Sequence, residues 1–327
     1  MTSAFDICIV AQAGRLSWEA ALFAASLRHS APGFTGELIV GEPAPGPLWP
    51  GETRTDEPAR ELLEDLGARI VPFEAKHFGA AYPNGNKVEM LAALPSDRPF
   101  VFFDTDTLVT GAIDAVPFDF ARPAASMARD NTWPVVPLYG PGRDAIWRAV
   151  FDRADAPFES SLDQSHPPTH WERYLYFNAG WFFGPSAPDF AHRMILLMTS
   201  LRDDTPPELA SQALFPWLDQ IALPAVIAAL GGGRPGPDLA GLDGEVTRHW
   251  RVMPLFYATA PDAAIAALEE VAAPNKVKKV LKLHEPFRRM IYQGRGRKVR
   301  ALFDRDALPA REQVIRNRIK REKLWMR

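Results

Sequence analysis

The stretch Pro99-Phe100-Val101-Phe102-Phe103-Asp104-Thr105-Asp106-Thr107-Leu108-Val109 decides how the rest of the chain is read. It opens as an unbroken apolar run, which suits a central strand covered on both faces. It closes on two carboxylates, Asp104 and Asp106, with one residue between them. Side chains at i and i+2 of a strand share a face, so the two acids are expected to converge. Converging carboxylates repel unless a cation joins them, and a divalent ion such as Mn2+ or Mg2+ is the natural counter-charge. Such an ion takes about six ligands. Phosphates, water or another side chain must then complete the set, which makes the stretch half of a metal–nucleotide site.

Composition bounds the answer. The chain has 327 residues, 47% of them apolar and 24% charged, which is ordinary for a globular protein. Its 31 prolines are nearly twice the usual share and imply stiff connections around the core. Cys8 is the single cysteine, so neither an intrachain disulfide nor a cysteine-based zinc cluster is available. No apolar run is long enough for a spanning helix, and Met1-Thr2-Ser3-Ala4-Phe5-Asp6 lacks the basic start and apolar core of a signal peptide. A cytoplasmic location is therefore expected. The net charge of −3 hides a split: residues 274–327 carry 18 basic and 5 acidic side chains, the remainder 19 and 35. An acidic body with a basic C-terminal segment follows.

Taken in order, the chain alternates. Ile7–Ala11 reads as a buried strand followed by Gln12, and a helix starts near Ser17. Glu37–Val40 is a second strand, residues 41–58 a proline-rich loop, 58–66 a helix stopped by Gly67, and Arg69–Phe73 a third strand. Asn84-Gly85-Asn86-Lys87 opens a helix that runs through Leu94 and leads into the strand before Asp104. That alternation is the grammar of a parallel sheet with covering helices, whose ligands gather at the carboxyl ends of the strands. Later strands are expected at Pro123–Ala128, Leu175–Gly184, Arg248–Phe256 and Val280–His284, with helices at 187–202, 217–230 and 308–327.

Two chemistries fit Asp-x-Asp-x-Thr after an apolar strand. In haloacid-dehalogenase-type phosphohydrolases the first acid, here Asp104, is the nucleophile. Those enzymes place the motif near the N-terminus and need a later metal motif that Gly241-Leu242-Asp243-Gly244 does not match. More of the chain resembles GT-A-fold glycosyltransferases, and within them glycosyltransferase family eight, the glycogenin and bacterial galactosyltransferase type. The resemblance rests on Asn86-Lys87-Val88 with Leu91, on Phe102–Val109, on Phe177-Asn178-Ala179-Gly180, on Asp219-Gln220, and on Leu283-His284. It spans residues 7–290. Departures are Ala179 where the family has serine, and Glu285-Pro286-Phe287-Arg288-Arg289 where it has a Gly-x-x-Lys-Pro-Trp stretch. A second Asp-Gln pair, Asp163-Gln164, lies in a loop and is passed over.

The resemblance implies an α/β GT-A fold, a mixed central sheet flanked by helices. Residues 1–290 would form the catalytic domain and 291–327 a basic helical extension. It implies a hexosyltransferase moving sugar from a nucleotide-diphosphate donor, a UDP-sugar above all, with retention of anomeric configuration. Asp104, Asp106 and His284 would hold Mn2+ or Mg2+. Lys87, Lys282, Arg288 or Arg289 would add positive charge at the phosphates, and Ala11 and Gln12 would face base and ribose. Asn178, Asp219 and Gln220 would meet the transferred sugar, with Asp130 accepting from a hydroxyl. The acceptor is an unspecified glycan, lipid or protein. The basic segment, with Val314, Ile315, Ile319, Trp325 and Met326 on one side of a helix, suits peripheral contact with anionic lipid or packing on the acidic body. No nucleic-acid motif accompanies it. A nucleotide-sugar-binding protein without turnover is the third reading.

Overall fold

The computed structural model describes residues 5–95, 98–128 and 133–326. Five strands, β1 (Asp6–Val10), β2 (Leu38–Ala44), β3 (Ala68–Glu74), β4 (Phe100–Phe103) and β6 (Trp181–Gly184), form one sheet in the order β3-β2-β1-β4-β6. The first four are parallel, and β6 runs antiparallel to β4. A small antiparallel pair stands apart, β5 (Thr107–Val109) against β7 (Thr247–His249). This is the mixed, mostly parallel sheet expected of a GT-A fold.

Alternation along β1 and β4 explains the unbroken apolar runs. Cys8, Val10, Phe100 and Phe102 enter one core cluster, with the helices Asn86–Ala92, Ala187–Asp203 and Leu218–Ala229. Ile7, Ile9, Val101 and Phe103 point the other way, against Ala20, Phe23 and Ala24 of the helix Arg15–Ser30. Neither face meets water, so neither can carry a polar residue cheaply; full burial of each Phe is worth about 1.5–3 kcal/mol.

Several local expectations change. Strand β2 continues to Ala44, pairing with Glu74, where a loop was expected from residue 41. Pro123–Ala128 is reduced to an isolated bridge at Ala125 with Phe182, and β6 begins at Trp181 because Ala179 turns with φ 60°. Val280–His284 is no strand: the helix Asn275–Leu281 ends there. It buries Val277 and Leu281 four apart and turns its lysines outward, a helical rather than a strand period. The helices Arg143–Arg153, Met253–Thr259, Asp262–Val271 and Arg295–Arg300 were not anticipated.

The basic C-terminal segment folds back onto the body. Ile315 and Ile319 of the helix Glu312–Arg321 are buried in the same cluster as Phe256 and Tyr257, and Trp325 and Met326 pack on it. Val314 of that stripe stays exposed. Among the described residues no helix is long and apolar enough to cross a membrane.

Candidate active site

The two acids stand in the turn between β4 and β5, not on the strand itself. Asp104 N donates to Gly180 O (2.8 Å) and Thr105 Oγ1 to Val10 O (3.0 Å), which ties the turn to the start of β6 and the end of β1. Strand β5 then pairs Thr107 with His249, and Trp250 N donates to Asp106 O (2.8 Å). Through this short ladder His249 Nε2 comes within 3.0 Å of Asp106 Oδ1 and 3.9 Å of Asp104 Oδ2. One ligating atom from each of Asp104, Asp106 and His249 lies within 4.8 Å of the others.

His249 is thus the histidine that joins the acids, in place of the expected His284. His284 packs against Phe287 and Trp18 (4.9 and 6.3 Å between ring centroids) beside a separate void of about 10 Å3. Burial, and then the Arg15 charge, push its pKa down to about 4. His284 does not line the cavity of the two acids.

Lys87 bridges the two sides of the site. Its ammonium lies 3.0 Å from Asp104 Oδ1 and 3.2 Å from Asp219 Oδ2. Burial works against the charge, but the two carboxylates more than offset it and hold the lysine pKa above normal. Asp219 also accepts from Tyr82 Oη at 2.6 Å. Beside it Gln220 Oε1 accepts from Tyr176 Oη at 2.9 Å. Burial raises the Asp104 carboxyl despite Lys87 and His249. Burial also acts on Asp106, where His249 outweighs it and keeps the acid below its usual range. For His249 burial favours the neutral ring, but Asp106 and then Asp104 lift its pKa above the ordinary value.

Two non-glycine residues adopt left-handed backbone here, Ala179 (φ 60°) and Arg251 (φ 59°). Such geometry costs of order 1–3 kcal/mol and persists where surroundings over-determine it. Between Asn178 and β6 sits Gly180, where an added Cβ would approach His249 Nδ1 to 2.6 Å and Asn178 Oδ1 to 2.8 Å. Asn178 Nδ2 donates to Ala128 O at 2.6 Å.

These groups line one open cavity of about 590 Å3 that includes Gln12, Lys87, Asp104, Asp106, Asn178, Asp219 and Gln220 among the expected residues. Ala11 is fully buried one residue behind Gln12, which accepts from Asn86 Nδ2 at 3.2 Å. Lys282, Arg288 and Arg289 do not line it: Lys282 lies over the Tyr292 ring and Arg289 pairs with Glu285. Asp130 falls outside the described residues. The cations at the cavity wall are instead Arg15, Arg251 and Arg316. Arg15 Nη1 lies 2.7 Å from Glu19 and 3.9 Å from Asp106 Oδ2. Arg251 and Arg316 both pair with Glu312. In the sequence His249 stood near the start of the expected strand Arg248–Phe256, with nothing local to mark it as a partner of the two acids.

A carboxylate turn at the sheet's carboxyl edge and a histidine brought in by a late strand together face one open cavity. The chain belongs to the family described as the Rhodobacterales glycosyltransferase domain, whose model matches residues 7–231. It is a glycosyltransferase, and the phosphohydrolase reading of Asp104 is set aside. Among solved structures the chain is similar to the galactosyltransferase LgtC in complex with donor and acceptor sugar analogs, at 14% identity and TM-score 0.48, covering 84% of this chain and 100% of that one. It is also similar to the bifunctional glycosyltransferase WbbM (14%, TM-score 0.46, 86% and 52% covered). A third is GlyE of Streptococcus pneumoniae (10%, TM-score 0.44, 85% and 63% covered). No curated protein matches by sequence.

Proposed function

We propose that this glycosyltransferase moves a hexosyl group from a nucleotide-diphosphate sugar, a UDP-sugar by preference, to an acceptor hydroxyl, with a divalent cation at Asp104, Asp106 and His249. The observation that carries the reading is the donor set itself. Two carboxylates and one imidazole within 4.8 Å of one another suit Mn2+ or Mg2+ with positions left for phosphate oxygens and water. A cation held there would offset charge on the departing diphosphate, a contribution of several kcal/mol.

The remaining steps belong to the chain's own groups. Lys87 is engaged by Asp104 and Asp219, so it positions both carboxylates rather than binding phosphate. Arg15, Arg251 and Arg316 are the cavity cations suited to the diphosphate. Arg316 of the C-terminal helix lines the same cavity, which supports a catalytic unit that extends past residue 290. Gln220 accepts from Tyr176, which leaves its N–H groups as donors toward a sugar oxygen. An amide cannot serve as a strong base, and the neighbouring Asp219 is held by Lys87 and Tyr82. Attack from the face of the departing phosphate, with retention, suits a site so furnished.

The test is a nucleotide-sugar panel read by thermal shift, with and without Mn2+. A UDP-sugar should raise Tm only in its presence, and Asp106→Asn should abolish that shift while keeping the fold. An unchanged shift in Asp106→Asn would sink the metal assignment.

A further inference from the structure

A second cluster of ligating side chains lies in the loop between Ser161 and Tyr174, and the transfer chemistry makes no use of it. His166, His170 and Glu172 offer two imidazole nitrogens and a carboxylate oxygen within 4.8 Å of one another. His170 Nε2 lies 2.9 Å from Glu172 Oε2, and His166 Nε2 lies 3.9 Å from the same oxygen. The two rings face each other with centroids 4.6 Å apart. In a tetrahedral zinc site with bonds near 2.0–2.1 Å, neighbouring ligand atoms stand about 3.3 Å apart. The observed separations bracket that value, so small rotations of the side chains suffice.

The loop is built to hold this arrangement. Arg173 Nη1 donates to His166 O (2.8 Å), Arg143 Nη1 to Thr169 O (3.1 Å), and Arg234 Nη2 to Glu172 O (3.1 Å). Tyr174 Oη donates to Pro168 O at 2.7 Å. The three guanidiniums thus grip backbone carbonyls, while the ion partners of the Glu172 carboxylate are the two histidines. Pro167 and Pro168 stiffen the chain between the histidines. Each ligating side chain remains 33–45% accessible, which gives an ion a way in.

We propose that His166, His170 and Glu172 form a second metal site, selective for zinc-type borderline cations, with its fourth position open to water. The donor sets separate the two clusters chemically. Two imidazoles and one carboxylate favour Zn2+, whereas the two carboxylates and one imidazole of the cavity suit harder ions. The loop leads into Tyr176, whose hydroxyl donates to Gln220, and on to Asn178 of the cavity wall, so a bound ion braces the segment that supports Gln220. Binding to the folded chain alone raises its stability by mass action.

The experiment uses the full-length, metal-stripped chain carrying Asp106→Asn, which silences the cavity cluster. Zn2+ is titrated by calorimetry and Co2+ by visible absorption. One equivalent of Zn2+, a tetrahedral Co2+ spectrum and a Zn2+-dependent rise in Tm are expected. His170→Gln and Glu172→Gln should each lose all three while keeping the metal-free Tm. A histidine-modifying reagent mapped by mass spectrometry, with and without Zn2+, gives a readout that needs no variant: protection of His166 and His170 is expected. Absence of binding, binding indifferent to both substitutions, or unprotected histidines would each overturn the site.

Discussion

The cavity has two walls of different origin. One comes from the body of the sheet and its covering helices: Asp104, Asp106, Lys87, Asn178, Asp219 and Gln220 all lie within residues 7–231, the region the family model covers. The other, with His249, Arg251 and Arg316, comes from beyond it. The first wall collects negative charge at the sheet edge, and the second supplies the imidazole and two guanidiniums. Neither makes a donor site alone. The difference teaches that the sheet and its covering helices place the carboxylates, while late elements bring the imidazole and the guanidiniums to the same cavity.

The comparison breaks most sharply at His249. His249→Ala should weaken Mn2+-dependent donor binding at least about a hundredfold, since loss of mere outer-sphere partners already costs 10–100-fold. If affinity is unchanged by calorimetry, the late wall has no part in the metal site. On the first wall, Lys87→Met leaves Asp219 buried without its cation. A loss of about 3–5 kcal/mol in chemical denaturation is expected. Gly180→Ala presses a methyl onto the His249 ring; a stability loss of about 1–3 kcal/mol and weaker Mn2+ binding should appear together. Arg316→Ala should raise the donor KM about tenfold, as loss of one charge-assisted phosphate contact does, with Tm little changed.

The smallest effect concerns His284, which separates packing from ligation. Its folded pKa is near 4 against 6.5 in the unfolded chain, so below pH 6.5 the unfolded state binds more protons. Stability is unaffected by this group above pH 6.5, then declines as pH falls toward 4. His284→Gln should flatten that part of the Tm-versus-pH curve and leave Mn2+-dependent donor binding intact.

What could be read from the chain follows from sequence distance. Phe100–Phe103, Ile7–Val10 and the carboxylates after them announce themselves locally, because a strand buried on both faces must be apolar throughout. Lys87, Asn178 and Asp219 were reached through short motifs lying on regular elements or their exits. His249 was not, because its place depends on a three-residue pairing of β5 with β7 across more than a hundred positions. His284 ended one expected strand and His249 stood near the start of another, and only the amphipathic period of residues 275–281 argues that the first of those strands is a helix. Arg316 was hidden for a related reason. Its helix was legible as basic and amphipathic, but the body's surface that buries Ile315 and Ile319 decides which way the arginine faces.

The lysine bridge bears on the order in which reactants arrive. Asp104 and Asp219 share the Lys87 ammonium, while Asp106 faces His249 and, at 3.9 Å, Arg15. On the side of Asp104 and Asp106 an approaching diphosphate meets like charge. A divalent ion held by Asp104, Asp106 and His249 would lower that repulsion, so binding of the metal first, or of a metal–nucleotide chelate, is expected. Initial-rate kinetics should then show compulsory-order behaviour, with free nucleotide a poor inhibitor until the cation is supplied.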